Sequence, residues 1–368
     1  MKTKITHLTS VHPRYDTRIF VKECSSLSKV ENYDVSLIVA DGLGDEATNN
    51  IHIIDVGKPK GRINRIFKTT KKVLHKAIEL DSDIYHLHDP ELISVGLKLK
   101  KLGKVVILDV HEDLPLQLLS KPYLNIVSRH LLSKVVSFYE NYTCREFDCI
   151  IAATPHIRDK FAHFTSSIDI NNYPIIDELA TSITWNEREN QVCYIGVISK
   201  IRGIVEDIEA MAYVNNTLQF KLAGVVYQDD FMIELQENRY WNRVDFLGKL
   251  DRKGVKKLLS DSKMGLVTLH PTINYKDALP VKMFEYMLSG LPVIASNFKI
   301  LEDIVIGNSC GICVDPLDSR SIGEAIKYLS THDNEAREMG QRGKQVILEK
   351  YNWTIEEKKL LELYERLV

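Results

Sequence analysis

The strongest constraint on this chain is an alternation. Short runs rich in Val, Ile and Leu recur, and longer amphipathic runs separate them. In the first half the strand candidates are Ile5–Val11, Tyr33–Asp41, Ile51–Val56, Asp83–His88, Val105–Val110 and Cys149–Thr154. Helical patterns fill the gaps at Ile19–Lys29, Arg62–Leu80, Glu91–Leu102 and Tyr123–Arg145. Apolar strands spaced by amphipathic helices predict a parallel sheet covered on both faces. The pattern stops at Asn171–Pro174, runs polar to Asn190, and restarts with Val192–Val197, Phe220–Val226, Val244–Leu247, Met264–Leu269, Pro292–Ala295 and Gly311–Val314.

The length of 368 residues suits two such domains. The reading is therefore α/β, with two Rossmann-like, doubly wound parallel-sheet domains. The first spans 1–171 and takes back the last helix, 352–368; 172–190 is a linker; 191–351 is the second. In such a pair the ligand is expected in a central cleft, outside the carboxyl ends of the strands.

A net charge of −2 argues against a general polyanion binder, and no nucleic-acid partner is expected. The charge is uneven. Residues 1–170 carry 24 Lys and Arg against 21 Asp and Glu, and ten of the twelve His. An anionic partner is expected on that side. Six scattered Cys in a chain of this length read as reduced thiols. Cys310 and Cys313 have CxxC spacing, but no second pair accompanies them, so strand cysteines around a turn glycine are the better reading. No h-region and no apolar run of about 18 residues is present, which predicts a cytoplasmic protein.

The most informative segment runs from His270 to Ala295. A buried strand ends at His270, a polar loop carries Asp277, and a helix starts after Pro280. A helix start offers unpaired N–H groups and partial positive charge, which suit a diphosphate. Lys282 adds a full charge in that first turn. Glu285, one turn on, has oxygens for a ribose diol. Taken singly, Lys282 and Glu285 would be ordinary surface residues; the helix start and the returning Gly290–Ala295 strand make a site the stronger reading.

Asp277, seven residues, Glu285 and then Gly-Leu-Pro-Val-Ile-Ala resemble the Glu-x7-Glu signature of GT-B glycosyltransferases, specifically the large retaining family numbered four. The resemblance implies that Glu285 binds the donor ribose and that Asp277, one methylene short of the usual Glu, lies near the transferred sugar. Tyr194–Gly203 is similar to the family's diphosphate loop, with Arg202 at its Lys position and Val197 where an Arg is usual. The resemblance extends donor contacts to Gly248, Leu279 and Pro280, and assigns the final helix to the first domain. It implies a UDP-sugar or GDP-sugar as donor and no metal or other cofactor.

Three polar loops follow strands in the first half. His12, Asp16 and Arg18 lie in the first, where relatives carry a glycine-rich loop; guanidinium groups are expected to replace backbone amides as phosphate contacts. The alternative is that Asp16 caps a helix and the arginines are solvated. His86 and His88 share one side of the next strand. A His at this place in relatives touches the sugar, which makes His88 the catalytic candidate and His86 a buried structural one. The third loop, Asp109–Asp113, adds His111 and Glu112 as candidates for acceptor binding or for orienting His88. Metal binding by these His and Asp is possible on composition, but the resemblance argues against it.

Lys58–Lys76 contains eight Lys and Arg and no acid, with Ile63, Phe67, Leu74 and Ile78 on one side. Such a helix suits anionic lipid through Arg62, Arg65, Lys68, Lys71 and Lys72. Leu114–Phe138, apolar with Lys121, Arg129 and Lys134, is a second such stretch. The plain alternative is a surface helix with its apolar side on the sheet.

The expected function is transfer of a sugar, with retained anomeric configuration, from a nucleotide-diphosphate donor to a glycan or lipid-linked acceptor in cell-surface polysaccharide synthesis. The setting would be the cytoplasm, with peripheral contact at the inner face of the membrane. A nucleotide-sugar 2-epimerase and a non-catalytic partner subunit are the rival readings. A dinucleotide oxidoreductase is weak, because no Gly-x-Gly-x-x-Gly follows the first strand.

Overall fold

Thr3–Leu8 (β1) alternates its side chains as a strand between two parallel neighbours must, and its last four residues are buried. The computed structural model describes residues 2–119, 125–179 and 183–368. They form two compact units, one of Met1–Asn172 with Thr354–Val368, the other of Tyr173–Trp353.

The first unit continues with Tyr33–Val39 (β2), Glu46–Thr48 (β3), Ile51–Asp55 (β4), Ile84–Leu87 (β5), Val105–Val110 (β6), Cys149–Ala152 (β7) and Ser167–Asp169 (β8). Their order is β3-β4-β2-β1-β5-β6-β7-β8, parallel except for the β3–β4 pair. The chain winds one way from β1 to β4 and the other way from β5 onward. The reversal between β1 and β5 is where a doubly wound sheet opens a crevice. β3 and β8 escape the sequence pattern because each has three residues, too few to show a period.

The second unit contains Gln191–Ile195 (β9), Gln219–Ala223 (β10), Val244–Gly248 (β11), Met264–Val267 (β12), Val293–Ser296 (β13) and Gly311–Val314 (β14). The order is β11-β10-β9-β12-β13-β14, all parallel, with its reversal between β9 and β12. Both sheets thus repeat the predicted doubly wound plan. Observed strands stop two or three residues before several predicted ends, because Thr9–Val11 and His88 already turn into the crevice loops.

The stretch read as a polar linker is a correction. Tyr173 and Leu179 join the second unit's core, with Tyr173 edge-on to Phe284 at 4.8 Å. The Trp185 indole donates to Asp333 at 2.9 Å, and buried Arg188 donates to the carbonyls of Leu259, Ser262 and Ser289. The apolar and cationic groups scattered through it outweigh its polar average. Residues 180–182 of that stretch, and the predicted Lys121 and Tyr123, lie outside the described residues.

Candidate active site

In the second unit, β9 delivers Tyr194 and then Gly196 to the crevice. Gly196 has φ of 137°, and a Cβ there would sit 3.6 Å from Arg202 Nη1 and 3.7 Å from Lys282 Nζ. Its bare backbone leaves two cations beside a concave loop. Gly203 (φ 76°) closes the loop, with no room for a side chain against the Thr268 carbonyl, and starts the Ile204–Ala210 helix.

Lys282 lies in the first turn of the Val281–Leu288 helix, whose N-cap is Pro280, without a side-chain cap. The lysine is buried, and its ammonium stands 3.4 Å from the centroid of the Tyr194 ring. Nζ has no hydrogen-bond partner among the described residues. Burial, and then repulsion from Arg202, pushes its pKa well below the usual lysine value. Glu285 follows one turn on. Its Oε1 accepts from Arg252 Nη1 at 2.8 Å, and Arg252 also bonds Glu178. Sequence reading missed Arg252, whose one local signal is its position in the first turn of the Arg252–Asp261 helix.

Asp207 is a second residue that sequence reading missed. It is fully buried, its Oδ1 accepts from Thr268 at 2.8 Å, and its Oδ2 has no hydrogen-bond partner among the described residues. Burial pushes its carboxyl well above the usual range. Gly248 ends β11 with φ of 62°, and its carbonyl accepts from Gly224 N at 2.7 Å. Leu279 and Pro280 are half-buried ahead of the helix, while Asp277 stands in an exposed turn with no described partner. Cys310 and Cys313 flank the start of β14 as free thiols.

In the first unit, Asp16 caps the Thr17–Cys24 helix, Oδ1 accepting from Arg18 N at 2.9 Å and Ile19 N at 3.0 Å. His12 stands between Asp16 (3.5 Å) and Asp89 (3.4 Å). Burial opposes its protonation, but the two carboxylates outweigh that and raise its pKa. Asp89 in turn accepts from Thr9 Oγ1 and from Ser10 N, tying the β1 and β5 loops together.

The arginines of this loop are a correction. Arg18 is buried, donating to both oxygens of Asp109 (2.7 and 2.8 Å) and to the Ile170 carbonyl. Arg14 is spent on Asp41, Glu46 and the Gly44 carbonyl. Each guanidinium is held by two carboxylates, Arg18 by Asp109 and Glu23 and Arg14 by Asp41 and Glu46, and both are buried rather than solvated. His88 also differs from its expected position. Its side chain has no accessible surface; Nε2 shares a hydrogen bond with His7 Nδ1 at 2.9 Å, and Nδ1 is 3.4 Å from Asp109. Burial drives its pKa down to about 4 against the pull of Asp109. His111, bonded to Asp109 at 2.9 Å, and His12 are the partly accessible imidazoles at this edge. Glu112 is exposed, paired with Gln117.

The basic stretch is helical from Gly61 on, as Gly61–Asn64, a π-turn Arg65–Thr69 and Thr70–Leu80, and Lys58–Lys60 precede the helix. Arg62, Lys68, Lys71 and Lys72 are exposed, whereas Arg65 is drawn in by Glu91 at 2.5 Å. Ile63 and Phe67 are exposed, because Thr70, Val73 and Ala77 form the sheet-facing side. No helix among the described residues is long and apolar enough to cross a membrane.

This architecture and the cation-lined loop agree with the known families that match. Glycosyltransferase Family 4 matches residues 21–169, and Glycosyl transferases group 1 matches residues 176–346, one to each unit. The chain is a glycosyltransferase of the GT-B fold. Sucrose-phosphate synthase from Thermosynechococcus elongatus is 18% identical, with a TM-score of 0.78 over 100% of this chain and 99% of its own. Anabaena HepE, solved with UDP and glucose, is 15% identical (TM-score 0.76, 99% and 100% covered). A UDP-forming trehalose-phosphate synthase from Burkholderia vietnamiensis is 10% identical (TM-score 0.73, 100% and 98% covered). No curated protein matches in sequence.

Proposed function

We propose that the chain transfers a sugar, with retained configuration, from a nucleotide-diphosphate donor held by the second unit to a glycan or lipid-linked acceptor held by the first. The observation that carries this is the Lys282 ammonium, buried beside Arg202 without an anionic partner among the described residues. A buried cation in this state is poorly solvated, and a diphosphate would complete it. The leaving diphosphate would gain charge as the glycosidic bond breaks, and Lys282, Arg202 and the helix start would stabilise that charge. This chemistry needs no metal at the diphosphate. Glu285, oriented by Arg252, would receive the ribose hydroxyls. The solved complexes of HepE with UDP and with UDP-glucose support a UDP-sugar as the first donor to try.

On the acceptor side we assign contact to His12 and His111, with Glu112 beside them, and a positioning role to His88 behind them. A lipid-linked acceptor for surface polysaccharide fits the exposed basic helix 61–80, through Arg62, Lys68, Lys71 and Lys72.

The test is product analysis. UDP-sugars and GDP-sugars are incubated with and without saccharide-lipid acceptors, and the anomeric configuration of the product is read by NMR. An acceptor-dependent product with the donor's configuration supports the reading. An epimerised nucleotide sugar formed without acceptor overturns it, as does absence of turnover by a folded protein that binds UDP.

A further inference from the structure

Four side chains meet in the interior of the first unit, behind the acceptor edge. His7, Glu23, His86 and His88 each offer one ligand-type atom, all within 4.8 Å of one another, and all four are buried. Their convergence follows from local geometry. His7 and His86 are register partners on β1 and β5, and His88 is two residues beyond His86 on the same side. Glu23 comes from the Thr17–Cys24 π-helix, whose wide turn brings residues five apart onto one face, so Arg18 and Glu23 reach the cluster together.

Protein atoms alone leave this cluster incomplete. Glu23 Oε2 and His86 Nε2 are buried without a hydrogen-bond partner among the described residues, while Glu23 Oε1 is ion-paired with Arg18. Glu23 Oε2 faces His7 Nδ1 at 4.0 Å and His88 Nε2 at 3.8 Å. The one internal hydrogen bond is His7 to His88. Native interiors rarely leave several polar atoms of one cluster unsatisfied.

Every member is also oriented from outside. Asp109 stands 3.4 Å behind His88 Nδ1. Tyr364 Oη, from the returning helix, is 2.9 Å from His86 Nδ1 and 3.5 Å from His7 Nε2. Arg18 Nε is 3.1 Å from Glu23 Oε1. Carboxylate or hydroxyl partners on the far nitrogen are what fix ring orientation and tautomer in metal-bound histidines.

We propose that His7, Glu23, His86 and His88 bind one divalent transition-metal ion of the zinc type in a closed, structural site. Three imidazoles and one carboxylate suit zinc or cobalt(II), whereas magnesium and calcium prefer oxygen donors. Full burial leaves no open coordination position, so the ion ties β1, β5 and the π-helix together and does not activate water. Drawing the four atoms to bonding distance needs a rotation of the His7 and His88 rings out of their mutual hydrogen bond.

The experiment uses the full chain produced in cobalt-supplemented and in zinc-supplemented medium. The expected result is about one metal ion per chain by elemental analysis, and the intense visible absorption of four-coordinate cobalt(II), displaced by zinc. Glu23→Gln and His86→Gln should lose that absorption while His111→Gln keeps it. Folding of each variant is followed by circular dichroism. Wild-type protein that is folded but holds no stoichiometric metal and shows no such absorption overturns the proposal, whatever the variants do. Loss of the absorption in His111→Gln with retention in Glu23→Gln also overturns it, because the ion would then sit at the outer His88, Asp109 and His111 group.

Discussion

Lys282 Nζ lies 3.4 Å from the centroid of the Tyr194 ring, and no carboxylate among the described residues lies within ion-pair distance of it. The ring face offers the ammonium partial compensation, worth about 2 kcal/mol when desolvated. Burial has lowered the lysine's pKa, and an arriving diphosphate favours the charged form and raises it again. Binding of UDP should therefore take up protons. Calorimetry in two buffers of different ionisation enthalpy measures this directly. Lys282→Met should abolish the uptake and weaken UDP by roughly 10- to 100-fold, the loss of one charge-assisted contact. Equal heats in the two buffers for the wild type would contradict the assignment.

Asp207 presents the opposite linkage. Its folded pKa stands above its unfolded value, so its contribution to stability is intact at pH below the unfolded carboxyl value near 4 and is progressively lost as pH rises toward the folded pKa. Asp207→Asn keeps the shape, and the amide oxygen can still accept from Thr268 Oγ1. The variant should lose less stability than the wild type between pH 5 and pH 8. Denaturant midpoints at the two pH values provide the measurement, and parallel changes in both proteins would show that Asp207 does not titrate there.

The doubly wound plan was readable because it rests on periodicity. Buried parallel strands such as Val105–Val110 are apolar without interruption, and no other arrangement covers them on both faces. The helix start at Pro280 was readable for a different reason: Pro280, Lys282 and Glu285 are local to one segment. What stayed hidden depends on distance along the chain. Arg18 meets Asp109 across 91 residues, and His86 meets Tyr364 across 278. A sequence shows that each of these groups needs a partner but not which one. The same gap explains why Arg18, expected as a phosphate contact, and His88, expected at the sugar, are instead buried against Asp109.

The Arg18–Asp109 pair yields a stability prediction. Both side chains are buried, with two parallel hydrogen bonds between them. Arg18 opposes the burial cost that would otherwise raise the Asp109 carboxyl, and holds it well below the ordinary range. Arg18→Met strands Asp109 next to Glu23 and should cost about 3–5 kcal/mol, the usual penalty for breaking one side of a buried pair. Asp109→Asn should cost less, because a neutral amide still accepts from the guanidinium. Chemical denaturation of the two variants should give that order, and the reverse order would mean that Asp109, not Arg18, is the charge that the interior requires.

The helix Ile126–Thr143 leads to the last prediction. Of its 18 residues only Ser133, Glu140 and Thr143 are buried. Ile126, Val127, Leu131, Val135, Phe138 and Tyr142 are exposed, with Phe138 at 74%. The connections β4 to β5, β5 to β6 and β6 to β7 all run the same way along the sheet, and right-handed crossovers therefore put helices 61–80 and 126–143 on one face of the first unit. That face combines exposed apolar groups with Arg62, Lys68, Lys71 and Lys72, a combination suited to an anionic bilayer surface. Arg65 is left out, since Glu91 already holds it. Reversing the apolar side with Val127→Asp and Phe138→Asp should abolish sedimentation with phosphatidylglycerol vesicles. Replacing Arg62, Lys68 and Lys71 by Gln should weaken it by roughly 100-fold, at about 1 kcal/mol for each basic group. Both variants should keep the wild-type affinity for UDP, which belongs to the other unit. Equal sedimentation of the wild type with neutral and anionic vesicles, or none with either, would leave this face without a membrane role.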